Sequence, residues 1–228
     1  CAPGGFFPPG HDVVGVDSGK NPALPGHGSD VVPVIRWLHR SWLRWLAQMF
    51  LMVGRPGHAL ARFEALLRVA PDDRHAMASR AFLLAGRGDN AQAIDAMQAM
   101  TRCHPRQAAA WFNLAYLLDE AGRCELAENA FEQALTVDPA LDRAWYGLGL
   151  LLLRQGRLDE AAAALTRNTA LQPMSPFGWY QLDRIEIERR RIDEARRILT
   201  HLRGFEPKVA AQLARELDAQ SAQQGSPA

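Results

Sequence analysis

Residues 108–141 read AAAWFNLAYLLDEAGRCELAENAFEQALTVDPAL. Trp111, Leu114, Ala115 and Leu118 stand at i, i+3, i+4 and i+7, the spacing of one α-helical face. Gly122 ends that helix, because glycine accepts the left-handed backbone of a C-terminal cap. Leu126, Ala127, Ala130, Phe131 and Ala134 mark the apolar face of a second helix, and Pro139 stops it.

Outward from this stretch the pattern recurs every 34 residues. Pro71, Pro105, Pro139, Pro173 and Pro207 are evenly spaced at that interval. An alanine precedes each proline by twelve positions (Ala59, Ala93, Ala127, Ala161, Ala195), and a large apolar residue by eight (Phe63, Met97, Phe131, Leu165, Leu199). Gly54, Gly88, Gly122 and Gly156 hold another column, and Trp111, Trp145 and Trp179 a third. Leu46, Leu114, Leu148 and Leu182 form a fourth. Each unit therefore reads as two amphipathic helices. The alanine column lets their backbones approach closely, and a single pair cannot bury its apolar face without stacked neighbours.

Period, Trp-x-x-Leu followed by Ala or Gly, breaking glycine, Ala and Phe columns and closing proline together resemble the tetratricopeptide repeat. The resemblance covers about residues 40–209. It implies an all-α, right-handed solenoid of five helix-turn-helix repeats, at about 40–73, 74–107, 108–141, 142–175 and 176–209, within an array over 34–219. Residues 210–219, following Val209 and carrying Leu213 and Leu217, read as a capping helix, and 220–228 as a frayed tail. Some units depart from the pattern. Pro56 and Gly57 follow Gly54, so an irregular first turn is expected. Arg80 and Met77 replace Leu and Trp in the second unit. In the fifth, Asp183, Glu186 and Arg190 occupy the small, apolar and glycine columns, where relaxed packing at an array end is expected.

Residues 1–33 carry seven glycines and six prolines and read as a disordered tail. Gly15–Asn21 fails as a phosphate loop, with one residue too few and Asn21 where a hydroxyl should meet magnesium. Cys1 opens the sequence. A fragment, a lipidated bacterial lipoprotein anchored through Cys1, and a true start near Val31 or Val32 are all compatible with it. Few lysines among many arginines, with abundant alanine, suggest a bacterial source. A cytoplasmic location is expected, with peripheral attachment at the inner membrane as the alternative.

The 26 basic residues against 25 acidic ones create no global field for nucleic acid, which is not expected as a partner. Seven arginines over 184–203 interleave with carboxylates, as on a solvated helix pair. Three cysteines make no disulfide framework. Cys103, His104 and Cys124 suggest a metal only weakly, since Cys103 shares a column with Val69, Val137, Leu171 and Phe205 that reads as core. No nucleophile elbow, catalytic carboxylate pair or dinucleotide fingerprint occurs. The expectation is no enzyme, no metal, no cofactor and no small-molecule substrate.

The family resemblance implies that first helices line a concave groove holding a peptide or helix of a protein partner. Positions beside the packing columns then give the candidate site: Phe82, Phe112, Asn113, Tyr116, Arg143, Tyr146, Tyr180, Gln181 and Arg184. Phe112, Tyr146 and Tyr180 recur at the period, as an aromatic ladder would. Arg44, Gln48, Ser79 and Asn113 only loosely resemble the family's carboxylate clamp, so chaperone C-termini are not implied. Residues 34–53 are basic and rich in tryptophan. They form a second candidate surface, for membrane or partner docking, carried by Arg36, Trp37, Arg40, Trp42 and Trp45.

Overall fold

A computed structural model describes residues 31–224, with side chains described over 37–218. The expectations for Cys1, the rest of 1–30 and 225–228 lie outside these residues. Residues 31–33 begin the first helix rather than ending a tail.

The described residues form eleven helices and no strand: α1 (Val31–Met52), α2 (Pro56–Val69), α3 (Arg74–Gly86), α4 (Asn90–Cys103), α5 (Ala108–Glu120), α6 (Cys124–Val137), α7 (Asp142–Arg154), α8 (Leu158–Leu171), α9 (Pro176–Glu188), α10 (Ile192–Arg203) and α11 (Pro207–Gln224). The chain divides into two compact units, Cys1–Arg123 and Cys124–Ala228. In the first, each helix from α1 to α5 packs on the next. In the second, α6 to α10 do the same, and α11 covers both α9 and α10.

The periodic columns make the cores. Ala59, Phe63, Ala93 and Met97 are buried in the first unit, and Ala127, Phe131, Ala161, Leu165, Ala195 and Leu199 in the second. Each large side chain removed from water contributes roughly 1.5–3 kcal/mol. Three glycines in the second unit leave no space for a Cβ, and one of them, Gly178, would press a Cβ against Oδ1 of Asn168. A Cβ on Gly147 would stand 2.6 Å from the Phe131 ring, and one on Gly149 2.7 Å from Leu165.

The glycine column closes the first helix of each pair by one geometry. Gly54, Gly88, Gly122 and Gly156 have φ between 70° and 83°. The following amide donates to the carbonyl five residues back: Arg55 to Phe50 (2.8 Å), Asp89 to Leu84 (3.0 Å), Arg123 to Leu118 (2.9 Å) and Arg157 to Leu152 (3.0 Å). The first turn is therefore regular, contrary to expectation, and Pro56 starts α2 where its missing N–H costs nothing. Arg190 adopts the same backbone, φ 59°, and Arg191 closes the same bond to Glu186 (2.8 Å).

Other expectations are corrected. Leu126 is exposed, because it lies five residues before Phe131, about 140° round the helix. Cys103 is exposed as well, six residues past Met97 and about 120° off the core direction. Val137 and Leu171 share its column and its exposure. Asp183 and Glu186 are fully enclosed rather than loosely packed at an end, since α11 starts earlier and runs further than expected. Ala210, Leu213 and Leu217 of α11 are buried in this contact.

Candidate functional site

In the second unit the first helices of two successive pairs, α7 and α9, present a polar and aromatic patch. Tyr146 of α7 and Gln181 of α9 are half-buried and joined by a side-chain hydrogen bond. Burial raises the Tyr146 hydroxyl above the usual phenol range, and the Gln181 bond partly opposes this. Tyr180 is half-buried beside them, with the Arg184 guanidinium 5.9 Å from its ring centre. Arg143 stands exposed in the first turn of α7.

In the first unit, Phe82 on α3 and Tyr116 on α5 are half-buried. Burial, then the charges of Glu120 and Asp119, push the Tyr116 hydroxyl up. Phe112 and Asn113 differ from expectation. They are only 6% and 8% exposed, because seven of the thirteen residues of α5 are buried and its core face spans most of its circumference. Oδ1 of Asn113 is enclosed with no hydrogen-bond partner. Both side chains belong to packing more than to an open surface.

The other candidate surface is α1. Trp37, Trp42 and Trp45 are 58%, 55% and 58% exposed, and Leu38, Met49, Met52 and Val53 are exposed with them. Arg40 is partly exposed and also engaged within the fold. It lies 3.8 Å from the buried carboxylate of Asp73, to which Arg44 donates a hydrogen bond. Asp73 also caps α3 by accepting from the Ala76 amide at 3.1 Å. Burial pushes Asp73 up, but the Arg44 bond, the Ala76 amide and the charges of Arg44 and Arg40 outweigh it and hold the carboxyl low. The Arg36 side chain lies outside the described ones. Among the described residues no helix is long and apolar enough to cross a membrane, and no cluster of His, Cys, Asp and Glu is arranged to hold a metal.

The sequence profile of the tetratricopeptide repeat matches residues 46–108, 81–123 and 112–173, together more than half of the chain. The chain belongs to the tetratricopeptide repeat family. Its fold class is the all-α solenoid of that family. The chain is similar to the crystal structure of MamA, with 17% identity, TM-score 0.68, and 76% of this chain and 94% of that one covered. It is similar to a tetratricopeptide repeat protein from Parabacteroides merdae, with 19% identity, TM-score 0.69, and 82% and 76% covered. It is also similar to YrrB, described as having an unusual peptide-binding site, with 17% identity, TM-score 0.63, and 76% and 90% covered. At such identities the likeness speaks for the fold alone. Curated proteins yield no sequence match.

Within the tetratricopeptide frame, two features escape the sequence pattern. Trp111, Trp145 and Trp179 each donate an indole N–H to the carbonyl six residues earlier, on Pro105 (2.8 Å), Pro139 (2.9 Å) and Pro173 (2.9 Å). The tryptophan column thus staples the loops at Pro105, Pro139 and Pro173 to the helices that follow them. The Tyr146–Gln181 contact is the other. Its signal was a spacing of one period plus one residue, which a column-by-column reading does not test.

Proposed function

We propose that this tetratricopeptide array is a non-catalytic interaction scaffold that holds a peptide or short helix of a protein partner. Its seat in the second unit is Tyr146, Tyr180, Gln181 and Arg184, with Arg143 at the edge. The observation that carries this reading is the Tyr146–Gln181 contact, which sets the half-buried phenol of α7 beside an amide of α9. Tyrosines bury much area at low entropic cost, and a glutamine amide both donates to and accepts from a peptide backbone. A guanidinium against Tyr180 adds attraction for a carboxylate on the ligand. Phe82 and Tyr116 offer a smaller apolar patch in the first unit. The similarity to YrrB, a protein described by its peptide-binding site, supports the reading at the level of fold.

Selection of a displayed random-peptide library on the whole chain tests it. Recovered peptides are expected to lose roughly thirtyfold or more in affinity to Tyr146→Ala/Gln181→Ala, a loss typical of central interface residues. Circular dichroism should show the helices intact. Equal affinity for the double variant and the parent chain refutes the assignment.

A further inference from the structure

The exposed apolar side chains of α1 gather along one side of the helix. Leu38, Trp42, Trp45, Met49 and Met52 lie three or four residues apart over about four turns, with Trp37 and Val53 at the margins. The opposite side, Leu43 and Ala47, is buried. The shallow depression among Trp37, Leu38, His39, Ser41, Trp42 and Trp45 is lined by α1 alone. Among the described residues no second element builds a wall beside it, so a partner helix finds knobs there without a groove to seat in.

The charges around this stripe are one-sided. Five of the chain's 26 basic residues and none of its 25 acidic ones fall in residues 31–63, namely Arg36, Arg40, Arg44, Arg55 and Arg62. The remainder of the chain is net negative. Asp73 pairs with Arg40 and Arg44, and Asp72 lines the same depression, while both guanidiniums stay nearly half exposed. Arg40 turns to the packed side of α1, toward Asp73, whereas Arg44 borders the stripe beside Trp37 and Arg55 borders it beside Val53, so these two margins are cationic. A second copy of α1 brings the same arginines and no carboxylate, so self-pairing has no charge complement.

We propose that α1 docks the chain on an anionic phospholipid bilayer. The helix lies in the interface, with its tryptophans at headgroup depth and Arg44 and Arg55, at the margins of the stripe, against lipid phosphates. Indole rings favour that boundary, arginine stems reach along it, and a basic flank gains about 1 kcal/mol per charge near an anionic leaflet. Arg40, Ser41, Arg44 and Gln48 within the helix keep it in the surface and out of the hydrocarbon core.

Flotation of the full chain tests this, using vesicles of phosphatidylcholine alone and of phosphatidylcholine with about a quarter phosphatidylglycerol. The chain is expected to rise with the anionic vesicles only, less at high salt, with a blue shift of tryptophan emission. Trp42→Ser/Trp45→Ser should lower the bound fraction roughly tenfold at unchanged helix content. Phe177→Ser, which removes an equally exposed aromatic from α9, should bind as the parent does. The proposal is overturned by a chain that stays unbound with both vesicle types, or by a double variant that floats as well as the parent. A dimer that the same two substitutions dissolve, without flotation, also overturns it.

Discussion

Arg190 holds a backbone conformation that the other turns of this column give to glycine. Its Cβ crowds the following carbonyl at φ 59°, a strain of about 1 kcal/mol that the bond from Arg191 to Glu186 outweighs. Arg190→Gly is therefore expected to raise the urea midpoint by about 0.5–1 kcal/mol in stability at an unchanged slope. Gly147 presents the opposite case. Its column holds side chains elsewhere (Ser79, Asn113, Gln181), yet here a Cβ meets the buried Phe131 ring. Gly147→Ala should cost about 1–3 kcal/mol in the same measurement. Both departures stand out from their columns, but the column at Gly147 says nothing of the Phe131 ring beside it. A period reports which residue is unusual, and only packing reports which is irreplaceable.

Among the elements, α11 changes the chemistry of α9. By covering it, α11 encloses Asp183 completely and brings Glu216 near. Both Asp183 carboxylate oxygens lack a hydrogen-bond partner, while Glu186 keeps one bond, from Arg189 at 2.7 Å. Burial, then the Glu216 charge, pushes Asp183 up to about 7 from an ordinary 3.8. A carboxyl whose folded pKa exceeds its unfolded one binds its proton more readily in the native state. Stability from this group is thus complete below pH about 4 and is lost as pH climbs to about 7, by roughly 4 kcal/mol at the limit. Asp183→Ala places the residue found at Ala47, Ala81 and Ala115 of the same column. It should flatten that decline and raise the melting temperature at neutral pH, and an unchanged pH profile would show that Asp183 is not the cause. The aspartate was legible as an outlier. Its burial was not, because α11 lies beyond the last period and its extent is set by Ala210, Leu213 and Leu217 alone.

At the scale of the whole molecule, the interval of 34 residues carried the architecture without help from any single strong motif. Every column repeats a local demand: close helix contact at alanine, bulk at phenylalanine, a left-handed turn at glycine. The candidate binding surface was less readable. Phe112 and Tyr146 share a column, yet the first is enclosed and the second half-open, since exposure depends on which neighbours arrive rather than on the column. Charge segregation shows the same limit, because the net charge of +1 conceals an acid-free stretch at 31–63.

The indole staples at Trp111, Trp145 and Trp179 sit at the joints between successive helix pairs and span only six residues. A 34-residue segment that starts at Pro105, Pro139 or Pro173 therefore carries its fastening with it. Arrays of this kind are free to lengthen or shorten by gene duplication without an orphaned seam.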